Sequence, residues 1–293
     1  MSDKMGLRAT VKAYLELTKV RIVLLLIFTT VTTMVIAANG FPEAGLLIPT
    51  IIGGALAAAG SSVINQFIDR DLDAKMNRTS RRPIPSGRIA PENALVFGLG
   101  LLTWSVAILA VFVNWLTAIL ALIGAIYYVV VYTLLLKRNT VVNILIGGGA
   151  GAIPVLVGWS AVTGTLTFEP FILFAIVFYW TPPHSWALAL LVNTDYARAN
   201  VPMMPVARGE EATRRQIMLY SVQLVLITLL PVLFNTLGPI YLLAALVLGG
   251  GLLRSASQLI AKRDGAAARS TYKYTTMYLA YLFLFMIVDK LIL

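Results

Sequence analysis

The sequence predicts an all-α polytopic membrane protein of about nine transmembrane helices bundled around a central cavity. Three observations predict it: an apolar content that no soluble core could hide, apolar runs of bilayer-spanning length, and nearly all the charge in alternate breaks between them. Of 293 residues, 59% are hydrophobic and only 12% charged, and the mean hydropathy is +0.84. A folded soluble domain does not bury that much apolar surface. A hydrocarbon core of about 30 Å takes roughly 20 helical residues to cross. Helices are favoured over a barrel because no strand-period alternation is visible and lipid offers backbone groups no partner.

The apolar runs extend from Ile22 to Asn39, Ala44 to Ile64, Ala94 to Val113, Trp115 to Leu136, Val141 to Val162, Phe168 to Leu191, Ile217 to Phe234, Leu237 to Leu253 and Tyr272 to Val288. Gly and Pro punctuate some breaks, as in Asn39-Gly40-Phe41-Pro42 and Leu237-Gly238-Pro239, whereas others carry charge. The thinnest division is Asn114, between the third and fourth runs. Lys12 and Lys19 before a run ending Ala37-Ala38-Asn39 imitate a signal peptide, but the run is too long and reads as a retained first span.

Basic residues resist translocation, so their distribution orients the chain. Lys4, Arg8, Lys12, Lys19 and Arg21 precede the first span, and Arg70, Lys75, Arg78, Arg81, Arg82 and Arg88 follow the second. The later breaks on the same side carry the rest, except for Lys290 at the end of the ninth span. The N-terminus is therefore expected in the cytoplasm and the C-terminus outside, in the cell membrane. Positive charge spread through short juxtamembrane loops also argues against nucleic acid as a partner. The chain has no cysteine and one histidine, which removes thiolate metal centres and bis-histidine haem electron transfer.

Polar chemistry concentrates in the segment from Asn65 to Pro83. Asn65, Asp69 and Asp73 recur every four residues; if the second span continues as helix, successive side chains drift only about 40° and share one stripe. Asp71 points roughly the other way and, with Arg70 and Arg81, reads as ordinary solvated loop. Carboxylates at a membrane edge are costly unless a cation or hydrogen-bond donors sit between them. The stripe suits Mg²⁺, which takes one or two carboxylates and completes its shell with water and phosphate oxygens. Arg78 and Arg82, just before Pro83, supply charge of the opposite sign.

A second polar segment follows the sixth span on the same face: Asn193-Thr194-Asp195-Tyr196-Ala197-Arg198. Spans two and six are four apart, which suggests a duplicated four-helix unit with two polar loops over one cavity. Tyr132, Lys137, Arg138 and Asn143 flank the turn between spans four and five, where a lysine can reach a phosphate as a point charge. His184 lies within the sixth span after Pro182-Pro183; an ionisable residue inside a membrane is a functional candidate. Trp180, Trp186, Tyr127, Tyr128 and Tyr132 are cavity or packing aromatics. Gly147-Gly148-Gly149 and Gly249-Gly250-Gly251 read as close helix packing, since no strand precedes them.

These residues resemble the intramembrane prenyltransferases of the UbiA type. The resemblance runs along Leu17-Thr18-Lys19, Asn65 to Pro83, Tyr132 to Thr140, Trp180 to Leu188 and Asp195-Tyr196 to Pro205, and makes residues 1–293 one prenyltransferase domain. The Pro182-Pro183-His184-Ser185-Trp186-Ala187-Leu188 and Asp195-Tyr196 segments resemble the branch that farnesylates haem. Val20 departs from the proline usual after Thr-Lys. Asp195 stands with Asn193 and Thr194 where relatives acting on quinone precursors carry a second aspartate run, so a symmetric pair of magnesium sites is not expected.

The resemblance implies transfer of the farnesyl group of farnesyl diphosphate to a vinyl group of haem B with addition of water, giving haem O and diphosphate. It implies Asn65, Asp69, Asp73 and Asp195 as Mg²⁺ ligands, and Arg78, Arg82, Lys137 and Arg198 as the groups that neutralise the departing diphosphate. Tyr132, Arg138, Asn143, Asn193 and Tyr196 are expected to line the substrate site. His184 is expected on the haem side, as an iron contact or to orient water. The product would pass to a haem A synthase or a terminal oxidase assembly. A prenyltransferase for another acceptor shares the diphosphate site, and a cation-coupled transporter would have no use for arginines facing the acids.

Overall fold

Each apolar run forms a helix. A computed structural model describes residues 6–293; Lys4, counted above among the basic residues, lies outside them. Among the described residues nine helices are long and apolar enough to cross a membrane. In chain order the helices are α1 (Leu7–Thr18), α2 (Val20–Ala38), α3 (Ala44–Ile68), α4 (Arg70–Lys75), α5 (Pro91–Phe112), α6 (Trp115–Ile126), α7 (Asn143–Thr163) and α8 (Glu169–Leu191). They continue as α9 (Asn193–Arg198), α10 (Met204–Arg208), α11 (Glu210–Ile227), α12 (Leu230–Leu233), α13 (Pro239–Lys262) and α14 (Gly265–Ile292).

The last three spanning helices overrun their apolar sequence runs. Helical hydrogen bonding continues beyond the point where side chains turn polar, and the extra turns carry their own support. Arg214 pairs with Glu210 at 2.6 Å, one helical turn apart. Asp264 caps α14 by accepting the Ala267 N–H at 2.7 Å. Between the third and fourth spans, Asn114 caps α6 through Thr117 at 2.8 Å and donates its amide to the Ser160 carbonyl at 2.8 Å.

Two local features lay outside the sequence expectation. The basic head is largely the helix α1, which buries Ala13 and Leu17 and accepts the Gln66 amide on the Leu17 carbonyl at 2.7 Å. It ends because Lys19 adopts the left-handed region at φ 52°, a conformation that redirects the chain into α2. The fourth span finishes as a π-helix from Tyr127 to Leu136, in which the Lys137 N–H reaches the Tyr132 carbonyl at 2.8 Å. Such wide turns are commonly found at functional sites.

Contacts at the helix ends verify the alternation of the spans. Lys290 donates to Asn39 at 2.9 Å at one end of the bundle. Lys19 meets Asn65 at 2.9 Å, and Arg214 meets the Arg263 carbonyl at 3.2 Å, at the other. Helices α3 and α5, α2 and α7, α7 and α8, and α13 and α14 pack as neighbours. Small residues allow the close approaches: a Cβ on Gly60 would stand 2.8 Å from the Gly98 carbonyl oxygen, and one on Gly148 would stand 2.9 Å from Thr181 Cβ. The glycine runs are thus helix-packing surfaces.

Candidate active site

The acid stripe survives a break in the helix that carries it. Although α3 ends at Ile68, the Asp69 N–H donates to the Asn65 carbonyl at 2.9 Å and the Asp73 N–H to the Asp69 carbonyl at 2.7 Å. The i to i−4 register therefore passes into α4, and Asn65, Asp69 and Asp73 remain aligned. Asn65 Nδ2 donates to Asp69 Oδ2 at 2.8 Å and to Thr133 Oγ1 at 3.0 Å. Both aspartates are completely buried, so each requires a counter-charge.

Four cations surround the stripe. The Lys137 ammonium pairs with Asp69, and Arg82 pairs with Asp73 Oδ2 at 2.7 Å. Arg138 reaches Asp69 Oδ1 at 3.4 Å and grips Asp71 through two hydrogen bonds of 2.9 and 2.8 Å. Lys19 Nζ donates to Asn65 Oδ1 at 2.9 Å and lies 3.4 Å from the Tyr128 hydroxyl. Burial, with Arg82 and Lys137 nearby, pushes the Lys19 amine down to about 7. The Arg138 hydrogen bonds hold the Asp71 carboxyl down to about 2.

The loop after the sixth span docks on the first. Asp195, buried on α9, accepts the Arg78 backbone N–H at 3.2 Å and pairs with Arg198 at 3.6 Å. Tyr196 is buried beside Arg78, and burial raises its hydroxyl above the usual range. Arg198 stays half exposed at the edge. Asn143 is buried and donates to the Thr140 carbonyl at 2.7 Å.

Among the described residues no three His, Cys, Asp or Glu side chains converge as a ready-made metal centre. The donor set nonetheless fits a hard cation. Asp73 Oδ1, on the acid stripe, is a buried oxygen without a hydrogen-bond partner among the described residues, and Mg²⁺ takes few protein carboxylates beside phosphate and water oxygens.

A cavity of about 380 Å³ runs inside the bundle, lined by Tyr128, Tyr132, Trp180 and His184 among apolar residues such as Leu25 and Val157. Tyr128 and Tyr132 stack at 5.6 Å, and Tyr128 also touches Lys19, which joins the cavity to the acid stripe. His184 is sandwiched between Trp180 at 4.4 Å and Tyr272 at 4.8 Å. Trp186 is fully buried against Tyr220, and Tyr127 donates to the Ile146 carbonyl at 2.8 Å, so these two pack rather than line the cavity.

The sequence-predicted residues thus fall into three groups. Asn65, Asp69, Asp73, Arg82, Lys137 and Arg138 form the first; Asp195, Tyr196 and Arg198 of the second loop, with Arg78 of the first loop, form the junction; Tyr132 and His184 line the cavity, while Asn143 and Asn193 each carry a buried oxygen and join none of these. Asp71 and Thr133, both passed over in the sequence, support the first group. Lys19 and Thr133 both fell inside segments of the family resemblance, but neither was given a role from the sequence.

Comparison with known proteins agrees with this architecture. Residues 25–285 match the UbiA prenyltransferase family. The protoheme IX farnesyltransferase of Roseiflexus castenholzii is 54% identical over 97% of this chain and 53% of its own length. That of Synechocystis sp. is 49% identical over 99% of this chain and 92% of its own. The chain spans about half the length of the Roseiflexus relative and most of the Synechocystis one. Among solved structures, a digeranylgeranylglyceryl phosphate synthase superposes with a TM-score of 0.80 at 20% identity, covering 97% of this chain and 99% of that one. A UbiA homologue from Archaeoglobus fulgidus bound to DMAPP and Mg²⁺ superposes with a TM-score of 0.66 at 18% identity, covering 93% and 98%. Family match and architecture agree over nearly the whole length, and the chain belongs to the UbiA prenyltransferase family.

Proposed function

We propose that this chain transfers the farnesyl group of farnesyl diphosphate to a vinyl group of haem B with addition of water, yielding haem O and diphosphate. The observation that carries the reading is a single cavity joined at Tyr128 to a buried cluster of acids and cations and walled elsewhere by His184 between two aromatic rings. Identity of about half the residues to proteins named for this reaction supports it.

In this reading the diphosphate binds between the acid stripe and the second loop. Asn65, Asp69, Asp73 and Asp195 hold Mg²⁺ against it, and the ion, when bound, draws electron density from the leaving oxygens. Arg78, Arg82, Lys137 and Arg198 receive the charge that develops as the allylic C–O bond breaks. Arg138, Asn143, Asn193 and Tyr196 complete the polar wall. The isoprenoid tail lies along the apolar helix faces, which exclude water from the allylic cation. The vinyl π electrons form the new C–C bond at the farnesyl terminus, and water adds to the resulting cation beside the porphyrin with loss of a proton. His184 stands on the haem side. The basic end of the bundle faces the cytoplasm of the cell membrane, the C-terminal end faces outward, and the product is passed to a haem A synthase or terminal oxidase assembly.

Purified protein supplied with haem B, farnesyl diphosphate and Mg²⁺ tests the reading. The expected product is heavier by one farnesyl group plus one hydroxyl, and an Asp69→Ala, Asp73→Ala variant should form it roughly 10²-fold more slowly or worse. Formation at an undiminished rate in that variant would refute the metal assignment. With a quinone precursor offered alongside haem B, prenylation of the quinone precursor in place of haem would refute the acceptor.

A further inference from the structure

The only histidine of the chain is held by a threonine on another helix. His184 Nδ1 lies 3.0 Å from Thr275 Oγ1, on α14. Thr275 is completely buried, and its hydroxyl donates its proton to the Tyr272 carbonyl at 2.8 Å. Helical threonines commonly bond back to their own helix in this way. A hydroxyl has one proton. When that proton goes to the Tyr272 carbonyl, Oγ1 faces His184 as an acceptor and Nδ1 carries the hydrogen.

The same residue fixes the ring that stacks on the imidazole. The Thr275 carbonyl accepts the Trp180 indole N–H at 2.6 Å, while Tyr272, three residues earlier, covers the opposite face of His184. One turn of α14 therefore sets the plane and the position of the imidazole and holds a hydroxyl against its Nδ1. No protein group among the described residues bonds to Nε2, and His184 lines the cavity.

We propose that Thr275 is a positioning residue that locks His184 in the Nδ1–H tautomer, so that Nε2 presents a lone pair to the iron of the haem acceptor. The locked tautomer rests on the Thr275 hydroxyl donating to Tyr272, whereas its use toward iron rests on haem being the acceptor. Histidine ligands in metal sites characteristically donate their second N–H in this manner, and losing that partner typically weakens metal affinity by about 10- to 100-fold. A purely structural threonine would be replaced by the isosteric valine without any effect on the imidazole proton.

The single histidine makes the test direct. Protein labelled with ¹⁵N only at histidine, in detergent and without haem, should show a protonated Nδ1 and a bare Nε2 in the wild type and in Thr275→Ser. Thr275→Val should show the other tautomer or a mixture. A wild-type Nε2–H tautomer, or a Thr275→Val spectrum identical to wild type, overturns the lock. Titration with ferric haem should show an imidazole-ligated spectrum that His184→Ala loses, with affinity about 10-fold weaker in Thr275→Val and restored in Thr275→Ser. If His184→Ala binds haem with unchanged spectrum and affinity, the iron assignment is overturned even though the tautomer stands. If the wild type binds no haem, the acceptor reading itself fails.

Discussion

Asp71 holds the guanidinium of Arg138 by two hydrogen bonds, of 2.9 and 2.8 Å, and so keeps a cation beside Asp69. A carboxylate outside the acid stripe thereby positions a charge on it. Asp71→Asn is expected to raise KM for the prenyl diphosphate by about 1.5- to 5-fold, as befits an ion pair that is partly exposed. Steady-state kinetics at low and high salt would check this, with the difference shrinking as salt rises.

The same pair predicts a flat pH response. With Asp71 held down to about 2, its contribution is complete above the ordinary carboxylate range near pH 4 and is lost only as pH falls through about 2. The ratio of wild-type to Asp71→Asn activity should therefore stay constant from about pH 5 to pH 9. A limb in that ratio near neutrality would show that another group governs Arg138.

Lys137 and Asp69 form a buried pair, and removing Lys137 leaves the buried Asp69 with only the longer Arg138 contact at 3.4 Å. Lys137→Met is expected to destabilise the protein by about 3–5 kcal/mol. Adding Asp69→Asn should recover part of that stability but none of the activity. Thermal unfolding in detergent across the double-mutant cycle, with turnover measured in parallel, separates the two effects.

The junction of the two loops depends on an acceptor rather than on a charge alone. Asp195→Asn retains an oxygen for the Arg78 N–H, whereas Asp195→Ala does not. The alanine variant should expose the segment between α4 and α5 to limited proteolysis, and the asparagine variant should protect it. Both should lose affinity for the diphosphate if Asp195 serves the metal.

Glycines of similar appearance should respond differently to alanine. A Cβ on Gly158 would collide with the Thr30 backbone carbonyl, while one on Gly250 meets nothing within 4 Å. Gly158→Ala should cost about 1–3 kcal/mol. Gly250→Ala should be neutral or slightly stabilising because alanine is the better helix former. Thermal melts of the two variants provide the check.

Much of this was legible from sequence because a bilayer punishes exposed backbone and misplaced charge so severely. Apolar run length required helices, and the placement of basic residues assigned them to one end. The four-residue spacing of Asn65, Asp69 and Asp73 declared a shared face, which holds because the helical register passes through the break at Asp69. Such local rules act between residues close in the chain, or between each residue and the solvent.

What only the tertiary structure decided were pairings between distant segments. Arg138 with Asp71, Lys19 with Asn65, Asp195 with Arg78 and Thr275 with His184 join residues whose separation in sequence carries no period. Lys19 reaches its partner because of a left-handed turn, and Lys137 reaches Asp69 from the end of a π-helix. Hydrogen bonds and ion pairs are decided within a few ångströms, and helix crossings that set those distances depend on packing summed over whole faces, which no single stretch of sequence encodes.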